Sequence, residues 1–92
     1  MSEKDWQRCV LDLAGVHGWQ AYHTYDSRRS QPGFPDLVLW RRGELIFVEL
    51  KTAKGRVSLD QTRVIDGLEA AGQRVYVWRP DDFDYARTVL AR

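Results

Sequence analysis

Pro35-Asp36 is followed, thirteen residues after the aspartate, by Glu49-Leu50-Lys51. Two carboxylates and an ammonium thus sit on segments that are otherwise apolar: Asp36 opens Asp-Leu-Val-Leu-Trp, and Glu49 and Lys51 close Glu-Leu-Ile-Phe-Val-Glu-Leu-Lys. Alternate residues of a strand face opposite sides, so Glu49 and Lys51 share a face with Leu45 and Phe47. Charged side chains are rarely buried unless paired or bound to a metal. The chemistry such a trio suits is metal-assisted hydrolysis of a phosphodiester. Mg²⁺ takes oxygen ligands, commonly one or two carboxylates with water and substrate phosphate. Asp36 and Glu49 can supply them, and Lys51 can orient the attacking water or stabilise hydroxide. The same three residues also fit a plainer arrangement, an Asp in a turn after Pro35 and a solvated, charged strand end.

The elements that must position these groups are legible in the surrounding sequence. Ser2 can cap a helix whose apolar residues Trp6, Cys9, Val10, Leu13 and Ala14 recur at helical spacing, with Gly15 and Gly18 marking its end. Residues 19–26 read as a first strand, with Trp19, Ala21, His23 and Tyr25 on one face. Residues 27–35 form a polar loop punctuated by Pro and Gly. Residues 36–40 and 44–51 read as a hairpin turning at Arg41-Arg42-Gly43. After a polar loop over 52–57, Ser58 starts a helix running to Ala71, with Leu59, Ile65 and Leu68 inward and Gly72 as its stop. Residues 74–78 are a further strand, and the Asp-rich stretch after Pro80 starts a last helix to about Leu90. The expected order is α-β-β-β-α-β-α.

Length and composition bound the rest. A 92-residue chain is expected to form one domain spanning residues 1–92, burying roughly 60% of its unfolded surface. Hydrophobic content of 43% and only three Pro indicate a folded globule. One Cys excludes an internal disulfide, and with no signal peptide in view the expectation is a reducing cytoplasm. No apolar run approaches the roughly 20 residues of a membrane span. His17, His23 and Cys9 lack zinc spacing, and Cys9 reads as a small buried hydrophobe. His23 and Tyr25 fit either an approach to the metal pocket or a place in the core. Trp6, Trp19, Trp40, Tyr76 and Trp78 read mainly as core material rather than base-stacking platforms.

Gly33-Phe34-Pro35-Asp36-Leu37, Val48-Glu49-Leu50-Lys51 and Gly55 to Gln61, in this element order, resemble the PD-(D/E)xK nuclease superfamily. Within it the chain is most similar to the VRR-NUC domain in its small stand-alone form, common in bacteriophage and bacteria. The resemblance runs from Ser2 to Trp78. It implies an α/β restriction-endonuclease-like core with a central mixed sheet flanked by helices, and metal-dependent cleavage of DNA. It implies that Asp36, Glu49 and the main-chain carbonyl of Leu50 ligate Mg²⁺ or Mn²⁺, and that Lys51 is the catalytic lysine. It also calls for an acidic residue on the first helix facing the site. Glu3 is the best match, although an acidic residue in a first helical turn also favours the helix dipole. Gln61 matches the family's fourth motif, and equally fits a capping box with Ser58.

Net charge is only +1, but it is unevenly spread. Residues 28–56 carry a surplus of +4, against −2 over 1–27 and −1 over 57–92. Phosphate would be drawn to the segment that holds the carboxylates. Arg28 and Arg29 before Asp36, and Lys54 and Arg56 after Lys51, are the candidate DNA contacts. The expected activity is a Mg²⁺- or Mn²⁺-dependent endonuclease on branched DNA, a four-way junction first, because stand-alone VRR-NUC proteins resemble junction resolvases. Two symmetric incisions suit a two-fold homodimer. Open alternatives are a nuclease or nickase without junction preference, and a DNA-binding or packaging accessory factor that does not cut.

Overall fold

The computed structural model describes residues 1–24 and 31–92. Helix α1 (Glu3–Val16) is followed by β1 (Gln20–His23), β2 (Leu37–Arg41), β3 (Glu44–Leu50), α2 (Leu59–Ala70) and β4 (Arg74–Trp78). A 3₁₀ turn at Pro80–Asp82 then leads into α3 (Phe83–Ala91). The strands form one sheet in the order β1-β2-β3-β4. The first two pairings are antiparallel and β3–β4 is parallel, so the sheet is mixed, with α2 as the crossover. The α-β-β-β-α-β-α order expected from the sequence is the one observed. Among the described residues no helix is long and apolar enough to cross a membrane.

Local sequence explains the element ends. Ser2 Oγ accepts from the Asp5 amide at 3.0 Å and caps α1. The helix stops where Gly18 takes a φ of +82°, a conformation that favours glycine. The β2–β3 turn likewise uses Arg42 and Gly43, both at positive φ, the pattern of a two-residue hairpin turn.

Strand alternation then sorts the sheet into two unlike faces. Leu37, Leu39, Ile46, Val48, Leu50 and Trp78 point to one side and form the core with Trp6, Val10 and Ala14 of α1 and Ala86, Val89 and Leu90 of α3. Two indoles lock the layers together as they are buried. Trp6 Nε1 donates to the Trp78 carbonyl at 3.0 Å and Trp19 Nε1 to the Leu90 carbonyl at 2.9 Å. Cys9 is only partly buried, at the margin of this core.

The opposite face carries Val38, Trp40, Leu45, Phe47 and Glu49, and α2 covers only part of it. None of the α2 side chains is fully buried, and Leu59 is exposed rather than inward. Trp40 is 39% exposed, so the expectation that it belongs to the core is corrected. Its place in the alternation puts it on the outer face, beside the similarly exposed Leu45 opposite it.

Candidate active site

The register Leu37↔Val48 sets Asp36, one residue before β2, opposite Glu49 on the outer face. Pro35 is buried and leads the chain into that position. The Leu50 amide donates to Asp36 Oδ2 at 2.8 Å, fixing the carboxylate against β3. The Asp36 carbonyl accepts from the Thr24 amide at 3.2 Å, tying the same residue to the end of β1. Both the side chain and the main chain of Asp36 are thus anchored.

Glu49 is 2% exposed, and its two oxygens are treated differently. Oε2 accepts from Gln61 Nε2 at 2.8 Å and lies 3.4 Å from Lys51 Nζ. Oε1 is buried with no hydrogen-bond partner among the described residues. Burial pushes the Glu49 carboxyl up to about 7, with the Asp36 charge acting in the same direction and Lys51 opposing. Burial also raises Asp36, against the Leu50 amide and Lys51, which lower it. Two carboxylates side by side, one buried and one half-buried, are under strain when both ionise.

That strain is what a hard divalent cation relieves, and the donor set fits one. Oxygen ligands from two carboxylates suit Mg²⁺ or Mn²⁺, and the partnerless Oε1 of Glu49 is an acceptor in need of a positive partner. Among the described residues no three His, Cys, Asp or Glu side chains gather as a metal-holding group. Glu3 is exposed in the first turn of α1. It acts on Glu49 through its field, which raises Glu49 further, and it stands outside the Asp36–Glu49 pair. His17, His23 and Cys9 form no zinc-type cluster.

Gln61 holds both of the roles that the sequence left open. Its side-chain oxygen accepts from the Ser58 amide at 2.9 Å, while Ser58 Oγ accepts from the Gln61 amide at 3.1 Å, completing a capping box. Its amide nitrogen is left free to donate to Glu49. The first turn of α2 is thereby fastened to the carboxylate pair.

Two loops close around the site. Gly33 has a φ of +92° and lies against the α2 N-terminus so closely that a Cβ would collide with the Asp60 carbonyl. The loop after Lys51 is held from β4: Arg79 Nη1 donates to the Thr52 and Gly55 carbonyls. Sequence reasoning missed Arg79, because nothing in its neighbourhood marks it as reaching back to that loop. For Gly33, the glycine before Phe34-Pro35-Asp36 was the available signal.

Lys54 and Arg56 are exposed on the loop beside Lys51. Arg28 and Arg29, and Tyr25 of the expected first strand, lie outside the described residues. Arg41, counted with the basic surplus, is withdrawn from it. It is 8% exposed on the core face, where its guanidinium donates to the carbonyls of His17 and Leu90 and to Glu44. His23 faces α1 rather than the carboxylates, since it pairs with Leu37.

A mixed sheet carrying a buried and a half-buried carboxylate and a lysine at adjoining strand ends defines a PD-(D/E)xK nuclease-type domain. The sequence pattern of the VRR-NUC domain matches residues 2–82, and the chain belongs to that family of nuclease domains. Solved structures share the fold. One VRR_NUC domain superposes with a TM-score of 0.78 at 23% identity, covering 96% of this chain and 92% of the other. A second VRR_NUC domain protein gives 0.76 at 17% identity, covering 98% and 85%. Hjc, a Holliday junction resolvase from Archaeoglobus fulgidus, gives 0.62 at 22% identity, covering 83% of this chain and 67% of that one. No curated protein sequence matches the chain.

Proposed function

We propose that this chain is a single-domain Mg²⁺- or Mn²⁺-dependent DNA endonuclease, with branched DNA, a four-way junction first, as its substrate. The observation that carries the reading is the division of labour at Glu49. One oxygen is held by Gln61 and Lys51 while the other is buried beside Asp36 without a hydrogen-bond partner among the described residues. A carboxylate fixed in that way is oriented before any ligand arrives.

Asp36, Glu49 and the Leu50 carbonyl would hold the ion, with Glu3 adding negative charge at the edge. When bound, the ion supplies Lewis-acid stabilisation of the phosphodiester and lowers the pKa of a coordinated water. Lys51 lies on the same strand face as Glu49, its side chain only 13% exposed. It offers an ammonium where negative charge builds on the reacting phosphate, and it is positioned to orient the incoming water. Gln61 keeps Glu49 from rotating. The exposed Lys54 and Arg56, together with Arg28 and Arg29, would contact flanking phosphates.

Junction preference and a homodimer belong to the same proposal. The fold is shared with a protein described as a Holliday junction resolvase, and two symmetric cuts need two active sites, which a two-fold dimer supplies.

The test is cleavage of matched labelled substrates (linear duplex, single strand, flap and four-way junction) with Mg²⁺, Mn²⁺ or EDTA. Metal-dependent paired cuts in the junction are expected, with linear duplex spared. Asp36→Asn, Glu49→Gln and Lys51→Ala should each lose cleavage by several orders of magnitude and keep DNA binding. Full activity of Asp36→Asn or Glu49→Gln would overturn the metal-site assignment. Tight, salt-sensitive binding without cutting of any substrate would point to an accessory factor.

A further inference from the structure

Arg79 follows directly on β4, and two local features fix its backbone. The residue before a proline is held to extended conformations, and Arg79, before Pro80, has a φ of −109° and a ψ of 164°. Its amide also donates to Asp82 Oδ2 at 2.8 Å. Strand alternation therefore carries on for one residue past Trp78. Trp78 faces the core, which sets Arg79 on the outer face with Glu49 and Lys51. The parallel register carries on as well. Leu50 pairs with Trp78, and the Lys51 amide donates to the Trp78 carbonyl at 3.1 Å. Arg79 and Lys51 thus stand opposite each other at neighbouring strand ends.

Between them lies the loop that leaves β3. Residues 52–55 fold into a turn, closed by the Gly55 amide donating to the Thr52 carbonyl at 3.2 Å. Arg79 Nη1 donates to the carbonyls at both ends of that turn, Thr52 at 2.7 Å and Gly55 at 2.6 Å. A guanidinium is a rigid planar donor, so the turn is clamped to the end of β4. The clamped turn lies along the stem of Lys51. A β-carbon at Gly55 would stand 3.5 Å from Lys51 Cδ and 3.1 Å from Thr52 Oγ1. Beyond that contact Lys51 Nζ comes within 3.4 Å of Glu49 Oε2, and the lysine side chain is only 13% exposed.

We propose that Arg79 is a positioning residue for Lys51: by clamping the turn over 52–55 it keeps a wall against the lysine stem and holds the ammonium beside Glu49. This rests on the reading of Lys51 as the catalytic lysine of a nuclease. A long lysine side chain gives up much rotamer freedom when it is fixed. The clamp places that ordering in the fold, before any substrate arrives. Arg79 is half-buried, with its donors turned onto main-chain carbonyls, whereas Lys54 and Arg56 of the same loop are exposed. Its guanidinium serves the turn rather than a DNA phosphate.

Amine labelling reads Lys51 without any cleavage. The chain has three lysines, Lys4, Lys51 and Lys54, so each can be followed by mass spectrometry. Metal-free wild type, Arg79→Gln and Arg79→Lys are acetylated with limiting reagent below their melting ranges. Lys51 is expected to react several-fold faster in Arg79→Gln than in the wild type, with Lys4 unchanged. Arg79→Lys should fall between, because an ammonium keeps a donor for the carbonyls but loses the planar fork. Arg41→Met, which loosens the fold at the opposite end of the sheet, controls for general destabilisation and should leave Lys51 as slow as in the wild type. Equal Lys51 rates in Arg79→Gln and the wild type, or an equal acceleration in Arg41→Met, overturn the proposal. Should Arg79→Gln fail to fold, Arg79→Lys carries the same comparison.

Single-turnover cleavage at saturating enzyme gives the second readout. Arg79→Gln should cut about 10- to 100-fold more slowly, the loss expected when a reacting group is slightly misplaced. Its junction affinity should keep the wild-type dependence on salt. A slope of log K against log salt lower by about 0.9, the mark of one lost phosphate contact, would put Arg79 on the DNA and overturn the proposal. If the wild type cuts no substrate, the nuclease reading falls while the labelling still decides the clamp. If it cuts and Arg79→Gln cuts equally fast, the clamp alone falls.

Discussion

Gln61 Nε2 donates to Glu49 Oε2 at 2.8 Å while Gln61 Oε1 accepts from the Ser58 amide at 2.9 Å. One side chain therefore spans a helix cap and a buried carboxylate, and the two jobs can be separated by substitution. Ser58→Ala removes the hydroxyl half of the capping box and leaves the contact with Glu49. It should cost about 1 kcal/mol of stability and leave cleavage near the wild-type rate. Gln61→Ala removes both, and is expected to lose about 10- to 100-fold in activity, as for groups that orient a metal ligand. Gln61→Glu keeps the cap acceptor but sets a third carboxylate against Glu49. It should retain α2 and lose activity. Urea denaturation and single-turnover cleavage on the three variants check this, and equal activity loss in Ser58→Ala and Gln61→Ala would contradict it.

Glu49 also makes a prediction about pH. Its folded pKa is raised from 4.5 to about 7, by burial first and the Asp36 charge second. Between those values the folded protein holds a proton that the unfolded chain has released, so stability falls as pH rises through the window. The metal-free protein should melt several degrees higher near pH 5.5 than near pH 8. Glu49→Gln should flatten that dependence and melt higher than the wild type at pH 8. Adding Mg²⁺ at pH 8 should raise the wild-type melting temperature by preferential binding to the folded state. The increment should shrink towards pH 5.5, where the ion must displace protons, and should be lost in Glu49→Gln. Thermal melts in EDTA and in Mg²⁺ at the two pH values decide the matter. A wild type that gains stability from pH 5.5 to 8 in EDTA would refute it.

The parts of this fold that the sequence discloses are those set by short-range physics. The 2.0 and 3.6 periodicities, Ser2 and Ser58 as caps, and a turn ending at Gly43 give the element order and place Asp36 opposite Glu49, although the turn is only Arg42-Gly43 and Arg41 belongs to β2. What stays hidden depends on which face a neighbour covers. Trp40 and Leu59 look like core residues by type, yet α2 lies over only part of the outer face and leaves both exposed. Arg41 looks like a surface cation, yet its place in the strand alternation turns it inward onto the helix ends. Arg79 reaches back 27 residues to Thr52, a contact that no local pattern announces. For Gln61 the sequence offered two roles as rivals, because a sequence does not show that a side chain can use its two ends at once.

Gly33 tests how closely the loop before Asp36 must approach α2. At φ +92° a β-carbon is strained, and it would also meet the main chain of Asp60 and the Gln61 amide, neither of which can swing aside. Gly33→Ala should cost about 2–4 kcal/mol through backbone strain and overpacking. It should also lower cleavage more than its stability loss explains, since it moves the loop leading to Asp36 away from Gln61. Gly43→Ala, also at positive φ but with open space around it, is the comparison. It should show the smaller stability loss and normal activity per folded molecule. Similar effects of the two substitutions on cleavage would refute the close-approach argument.

Arg41 predicts a stability effect without a catalytic one. Its guanidinium donates to the carbonyls of His17 and Leu90, to the main-chain oxygen of Arg92 and to Glu44, and lies 4.4 Å from the centre of the Trp19 ring. These contacts join the ends of α1 and α3 to the sheet. Removing the group takes one donor from the half-buried His17 carbonyl and breaks the contact with Glu44, while the Leu90 carbonyl keeps Trp19 Nε1. Arg41→Met should therefore cost about 1–3 kcal/mol through lost hydrogen bonds to the helix ends. Arg41→Lys should recover only part of this, because an ammonium cannot reproduce the planar fork. Glu44, held below its ordinary range first by the Arg41 hydrogen bond, should titrate closer to its usual value in Arg41→Met by NMR. Arg41 is five residues along β2 from Asp36, about 16 Å at strand spacing, so cleavage by the folded fraction should stay within about two-fold of wild type, a factor worth only ~0.4 kcal/mol of barrier. An Arg41→Met protein of normal stability, or one that folds normally and fails to cut, would contradict a purely architectural role for this residue.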